Sequence, residues 1–291
     1  MEHKAGFVNI IGNPNVGKST LMNRLVGERL SIITSKAQTT RHRILGIVND
    51  PAYQVVFSDT PGILEPHYKL HENMMAFVQS ALQDADVILF VTDIYESTLN
   101  HLETLERLKK TSTPVLLLLN KIDLGDQKKV EEKALYWHEQ LPNAEILPIS
   151  ALEGFNLEPI WKRIVELIPV NPPYYDKEEL TDRPLRFFIS EMIREKIFQN
   201  YSKEIPYSTQ VEIETYEESP KIDRIRAVIY VERSTQKGII IGHKGEKLKT
   251  VGIEARKEIE KFIGKQIHLE MFVKVDENWR QNEKKLKNFG Y

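Results

Sequence analysis

Phe7-Val8-Asn9-Ile10-Ile11 runs straight into Gly12-Asn13-Pro14-Asn15-Val16-Gly17-Lys18-Ser19-Thr20, an apolar strand followed by a glycine-rich turn and the start of a helical pattern. The turn carries the spacing G-x-x-x-x-G-K-S, the phosphate loop, in the strand–turn–helix context that gives the motif its meaning. Glycines let the backbone curl so that its N–H groups point at phosphate oxygens. Lys18 adds a cation near the β- and γ-phosphates, Ser19 offers a hydroxyl to Mg²⁺, and the helix presents its positive end to the same anion. Gly12, Asn13, Asn15, Val16, Gly17, Lys18, Ser19 and Thr20 are therefore expected to contact a nucleotide.

Outward from this loop, apolar runs alternate with amphipathic stretches. Strands are expected at Phe7–Ile11, Arg43–Asn49, Tyr53–Ser58, Val87–Thr92, Val115–Asn120 and Ile146–Ser150. Helices are expected at Lys18–Val26, His101–Lys110, Lys128–Gln140 and Leu157–Ile168, among others. The alternation predicts an α/β domain with a mostly parallel sheet covered on both faces. Ligands of such sheets bind beyond the carboxyl ends of the strands, so the loops after the strands should carry the chemistry.

They do. The third strand ends in Ser58-Asp59-Thr60-Pro61-Gly62, where Asp59 can hold Mg²⁺ through its water shell and the Gly62 N–H can reach a γ-phosphate. The fifth ends in Asn120-Lys121-Ile122-Asp123. Asp123 can accept from the N1–H and 2-amino groups of guanine, a donor pair that adenine lacks, so the wrong base would leave a buried charge unpaired. The Lys121 stem can lie over the ring, and Asn120 can tie this loop to the phosphate loop. The sixth strand leads into Ser150-Ala151-Leu152, where a backbone N–H can donate to guanine O6. Phosphate loop, DxxG, NKxD and SA, in order and each after a strand, resemble the translation-factor-like GTPases. That resemblance implies a GTP site in a P-loop GTPase domain.

The resemblance also calls for a switch threonine between the phosphate loop and DTPG. Ser35-Lys36-Ala37-Gln38-Thr39-Thr40-Arg41-His42 supplies two. Relatives with a Thr-Arg pair imply Thr40 as the contact to Mg²⁺ and the γ-phosphate, with Thr39 as the alternative. Lys18, Thr40 and Gly62 form the expected catalytic set, and Ser19, Thr40 and Asp59 the expected Mg²⁺ set. Ras-like enzymes orient the attacking water with a glutamine directly after DxxG. Here that position is Ile63, which cannot, so slow intrinsic hydrolysis is expected, accelerated by a partner, a cation or RNA. In relatives with an apolar residue there, the asparagine matching Asn15 ligands K⁺, offsetting charge between the β- and γ-phosphates. Asn15 either does the same or simply braces the loop.

Pro169–Pro184 has four prolines and a run of charge, the composition of a linker. It separates an expected GTPase domain at 1–170 from a second domain at 185–291, with 171–184 as the linker. Beyond it the pattern reads helix (Arg186–Phe198), strand (Gln210–Tyr216), strand (Ala227–Val231), helix, Gly242-His243-Lys244-Gly245, helix, strand (Ile267–Val275). A basic amphipathic tail, Trp279–Phe289, ends the chain. A GXXG turn between helical segments is the loop of a KH module, where the absence of side chains lets a nucleic-acid backbone approach. The order resembles the bacterial-type KH domain, an α+β fold, and implies RNA contacts from Ile241, Gly242, His243, Lys244, Gly245 and Lys247, with bases along an apolar groove beside a strand. His243 and His268 lack metal-ligand spacing and read as surface or RNA-facing residues.

Composition narrows the rest. The chain has 291 residues, 41% hydrophobic and 28% charged, an ordinary globular balance. It has no cysteine, which excludes disulfides, thiolate metal sites and a cysteine nucleophile. No apolar run approaches the ~20 residues that cross a bilayer, and the N-terminus does not read as a secretory signal, so a cytoplasmic protein is expected. The net charge of −2 conceals an asymmetry. Residues 1–170 carry 17 basic and 21 acidic side chains, whereas 233–291 carry 14 and 8, a basic surplus around the GXXG turn.

GNPNVGKST, KAQTTRHRI, SDTPGI, NKIDL, SALEG and IIGHKG together resemble the Era family of bacterial ribosome-assembly GTPases across essentially the whole chain. The resemblance implies binding near the 3′ end of 16S ribosomal RNA, assistance to the maturation of the small-subunit (30S) precursor, peripheral contact with the inner membrane, and a monomer. It implies a switch in which GTP orders the Thr40 and DTPG segments and hydrolysis releases them. Two other readings stay open: a tRNA-modification GTPase, for which a fused modification domain would replace GXXG, and an RNA-binding module in which turnover is incidental.

Overall fold

The apolar runs become strands because they are buried on both faces, as a parallel sheet under helices requires. The computed structural model describes residues 2–96 and 101–291. It divides into two units, one of residues up to His67 with His71–Asp182, the other of Tyr68–Leu70 with Arg183–Tyr291.

In the first unit, β1 (Lys4–Ile11), α1 (Lys18–Val26), β2 (Ile44–Asn49), β3 (Tyr53–Asp59), α2 (Lys69–Gln83, from its third residue on), β4 (Val87–Asp93), α3 (Leu102–Lys110), β5 (Val115–Asn120), α4 (Gln127–Gln140), β6 (Glu145–Pro148) and α5 (Leu157–Leu167) follow in chain order. The sheet order is β2-β3-β1-β4-β5-β6, parallel except for β2, which pairs antiparallel with β3. Every residue of β4 and β5 is buried. On one face Ile11, Phe90 and Leu117 pack with Val78 of α2, Leu108 of α3 and Trp137 of α4. This is the α/β fold expected. The parallel strands all deliver their carboxyl ends to one edge, which gathers the loops of the site.

The stretch expected as a linker is held onto this unit as far as Asp182. The Tyr174 and Tyr175 N–H groups donate to Gln54 Oε1 at 2.7 and 3.0 Å. The Ile47 N–H donates to the Leu180 carbonyl at 2.8 Å, and Thr181 Oγ1 donates to the Leu45 carbonyl at 2.7 Å. The last two bonds cover the outer edge of β2, an edge that would otherwise present unpaired backbone groups.

In the second unit, α6 (Leu185–Asn200), α7 (Ile205–Ser208), β7 (Gln210–Glu217), β8 (Asp223–Val231), α8 (Ser234–Ile241), α9 (Glu246–Ile263), β9 (Ile267–Val275) and α10 (Glu283–Asn288) form an α+β layer. The sheet order is β7-β8-β9, antiparallel then parallel. Ile193 and Ile197 of α6, Ile240 of α8, Val251 and Ile259 of α9 and Ile229 of β8 share one core.

Candidate functional site

Lys18 is the electrostatic centre of the first site. Its ammonium donates to the carbonyls of Gly12 and Asn13 at 3.0 and 2.7 Å, so the loop curls around its own lysine. Only 6% of the residue is exposed. Burial lowers its pKa to about 8, against the pull of Asp59 and Glu96 in the other direction.

Gly17 shows why the spacing is strict. Its φ is 101°, and a Cβ there would lie 2.2 Å from Asn120 Nδ2. That close approach lets Asn120 tie two loops together. Its Nδ2 donates to the Val16 carbonyl at 2.7 Å, and its Oδ1 accepts from the Ala151 N–H at 2.9 Å. Phosphate loop, NKxD and SA loop are thereby one hydrogen-bonded assembly.

The expected Mg²⁺ set converges. Ser19 Oγ donates to Asp59 Oδ2 at 2.7 Å and lies 2.9 Å from Thr40 Oγ1, which is itself 3.4 Å from Asp59 Oδ2. Asp59 Oδ1 is buried and has no hydrogen-bond partner among the described residues. Burial pushes the Asp59 carboxyl above its ordinary pKa, opposed by the Ser19 hydrogen bond and the Lys18 charge. A buried carboxylate with one unmatched oxygen, together with two hydroxyls, is the kind of hard donor set that a divalent cation such as Mg²⁺ takes. Of the two threonines, Thr40 joins this cluster. Thr39 Oγ1 bonds instead within its own segment, to Thr34 Oγ1 at 2.5 Å and the Lys36 carbonyl at 2.7 Å.

A cavity of about 450 Å³ opens over these residues. Asn15, Gly17, Lys18, Ser19, Thr20 and Thr40 line one end, with Gly62. Asn120, Lys121, Asp123, Ala151 and Leu152 line the other. Gly12, Asn13, Val16 and Asp59 stand outside the lining and are bonded to it through Lys18, Asn120 and Ser19; Ser150 also stands outside it, and its hydroxyl accepts from the Glu153 N–H at 3.2 Å. Asn15 adopts a φ of 65°, and its Nδ2 donates to the Ser35 carbonyl at 3.0 Å. Ile63 is fully buried and packs in the core with Ile11 and Met75. The side chain after DxxG therefore faces away from the cavity.

The sequence did not single out the carboxylates behind the cavity. Asp93 ends β4 directly beside Asn120 of β5. Its Oδ2 accepts from Lys121 Nζ at 2.7 Å, and its Oδ1 accepts from the Tyr95 and Glu96 N–H groups at 2.9 and 3.0 Å. Glu96 accepts from Asn13 Nδ2 and, at 2.7 Å, from Thr92 Oγ1, and burial raises its pKa. An acidic residue closing the strand next to NKxD was the available signal.

The second unit carries a second candidate surface. Gly242 turns α8 out with a φ of 71°, where a Cβ would meet Lys247 Cβ at 2.8 Å. His243 and Lys244 are exposed in the tight turn to α9. A groove of about 470 Å³ runs from Gly245 between α9 and β9, lined by Leu248, Ile253, Arg256, His268 and Met271. Of the six expected RNA contacts, Gly245 lines this groove and Gly242, His243 and Lys244 form its end turn. Lys247 is exposed beside Gly242, whereas Ile241 packs against the core and does not face the groove. Among the described residues no group of three or more His, Cys, Asp or Glu is gathered for a metal ion, and no helix is long and apolar enough to cross a membrane.

Residues 7–121 match a family described as 50S ribosome-binding GTPase, and residues 204–280 match the KH domain. GTPase Era of Geotalea uraniireducens is 44% identical over 100% of this chain and 98% of its own length. The chloroplastic GTPase ERA1 of Zea mays is 44% identical over 99% of this chain and 71% of its length. A crystal structure of Era with MgGDPNP and nucleotides 1506–1542 of 16S ribosomal RNA superposes with a TM-score of 0.95 at 40% identity, covering 99% of both chains. A single-substitution variant of Aquifex aeolicus Era bound to GDP and AlF4⁻ gives 0.94 at the same identity and coverage. With the GTPase and KH modules in order and full-length identity to Era proteins, the chain belongs to the Era family of GTPases.

Proposed function

We propose that the cavity from Asn15 to Leu152 takes GTP with Mg²⁺, and that the Gly242–Gly245 turn and the adjoining groove take the 3′ segment of small-subunit ribosomal RNA, in the service of 30S assembly. The observation that carries the reading is the convergence of Lys18, Ser19, Thr40 and Asp59 below a cavity whose far end holds Asp123. Lys18 would meet the β- and γ-phosphates, Ser19 and Thr40 would hold Mg²⁺ with Asp59 behind them, and Asp123 would select guanine. Mg²⁺ would offset phosphate charge. The RNA half of the reading is supported by the Era structure that holds a 16S segment and by the exposed GXXG turn here.

Asn15 would hold K⁺ through its amide oxygen, its nitrogen being engaged with Ser35. Equal hydrolysis rates in K⁺ and Na⁺ buffers would remove that assignment. The main test is titration of a fluorescent RNA of the 16S 3′ terminus against the full chain. Tighter binding with GDPNP than with GDP, and none to a scrambled RNA, is the expected result. Equal affinity for both RNAs would refute the RNA half, and calorimetry showing ATP bound as well as GTP would refute the nucleotide half.

A further inference from the structure

The first bend of the phosphate loop is held from several sides. From inside, the Lys18 ammonium donates to the Gly12 and Asn13 carbonyls. From the DTPG segment, the Ile63 N–H donates to the Gly12 carbonyl at 3.0 Å. From behind, the Asn13 side chain, on a residue 2% exposed, donates its Nδ2 hydrogen to Glu96 Oε1. This last contact sets a carboxylate behind a loop that we read as a cradle for phosphates. A partly buried negative charge there loses hydration and opposes an anionic ligand. What it supplies is charge-assisted hydrogen bonding, about twice as strong as the neutral kind. One oxygen takes the Asn13 amide, and the other takes the Thr92 hydroxyl at 2.7 Å. Glu96 is itself fixed at its backbone. Its N–H donates to Asp93 Oδ1 at 3.0 Å, and its carbonyl accepts from Lys133 Nζ at 2.8 Å. The carboxylate is thus anchored on the end of β4 and on α4, and Asn13 is anchored on the carboxylate. Lys18 completes the series, because the carbonyl of the same Asn13 takes its ammonium at 2.7 Å.

We infer that Glu96 is a positioning residue of the phosphate loop: acting through Asn13, it holds the loop in its anion-binding curl before the nucleotide arrives. The inference rests on the reading of the cavity as the GTP site. Glu96 is not part of the cavity lining and touches no ligand there. It lowers the entropy that the loop must lose on binding, so its contribution goes to ligands around whose β-phosphate the loop closes. A ligand that ends at the α-phosphate gains little from that curl.

The test is calorimetric titration of the full-length wild type, Glu96→Ala, Glu96→Gln and Asn13→Ala with GDP and with GMP, and thermal unfolding on the same samples. Alanine and glutamine at position 96 both remove the charge, but glutamine keeps an oxygen for Asn13, so the difference between them reports the bond. Expected is GDP affinity about tenfold weaker for Glu96→Ala than for Glu96→Gln, with Glu96→Gln no more than about threefold weaker than wild type. GMP affinity should differ by less than about twofold between the same two variants. In an Asn13→Ala background they should bind GDP alike, because no bond is left to tell them apart. Asn13→Ala alone cuts the same bond from the loop side and should weaken GDP by about tenfold, which decides the matter if Glu96→Ala does not fold. Equal GDP affinity of the alanine and glutamine variants overturns the inference. So does a difference that persists without Asn13, a GMP difference as large as that for GDP, or GDP affinity unchanged in Asn13→Ala. Wild type that binds ADP as well as GDP would instead sink the reading of the cavity.

Discussion

Lys18 holds its charge where charge is hardest to keep, and two opposite pH dependences follow. In the folded, nucleotide-free chain its pKa falls to about 8, whereas an unfolded lysine keeps 10.5. Between those values the unfolded state binds the extra proton, so this residue makes stability rise with pH from about 8 towards 10.5. Nucleotide binding runs the other way. Phosphates favour the ammonium, so above about pH 8 binding must take up a proton and affinity falls by as much as about tenfold per unit. Denaturant melts and GDP titrations from pH 7 to 10 check both signs. A Lys18→Met variant should lose the Lys18 share of each slope, and a stability slope unchanged in that variant would show that other groups set it. The gathering of Gly17, Lys18 and Ser19 at one cavity was legible in the sequence, because the spacing of the motif puts them in a single turn. The inward turn of Ile63 was not, because only the fold shows it packed against Ile11 and Met75.

At the scale of elements, strand ends do the positioning. β4 and β5 are paired in register so that Asp93 stands beside Asn120, and the Asp93 carboxylate, fixed by two backbone N–H groups, holds the Lys121 ammonium. Lys121 is itself left-handed, with a φ of 62°, so its stem is pinned at both ends along the cavity wall. Asp93→Asn keeps the shape but weakens a charge-assisted bond, and GDP affinity should fall by about tenfold. Preference for GDP over IDP, which we assign to Asp123, should stay as it is. In a Lys121→Met background the Asp93→Asn change should have no further effect on affinity. A full effect there would mean that Asp93 acts by some route other than Lys121. The strands themselves were readable within a few residues from apolar runs bounded by turns, and α1 within its exact span. What the sequence could not give is adjacency. Asp93 and Lys121 are 28 positions apart, and only the order β4-β5 brings them together. The stretch up to Asp182 misled for a similar reason. Prolines and charge read as a tether, but Gln54 and the β2 backbone, remote in sequence, hold it down.

At the scale of the whole molecule, each unit has a hydrophobic core of its own under its candidate site, one of buried residues from positions 11–141 and the other from positions 189–273. A substitution at an exposed turn that leaves the core of its own unit intact should leave GDP affinity measured without RNA unchanged. Lys244 offers the cleanest case. It is exposed in the GXXG turn, with a φ of 49°, and it takes no part in lining the nucleotide cavity. Lys244→Asp replaces an attractive charge at an RNA backbone with a repulsive one. RNA affinity should fall by at least about tenfold at 0.1 M salt, and the slope of log affinity against log salt should flatten by about one. GDP affinity measured without RNA should be unchanged within about twofold, as should the unfolding temperature of the GDP-bound chain. The flattening separates this outcome from a merely misfolded turn, which would lower affinity without removing a phosphate contact. RNA affinity unaltered by the charge reversal would show that the basic turn is not the gripping surface, and GDP affinity lowered along with it would show that the substitution disturbs more than that turn.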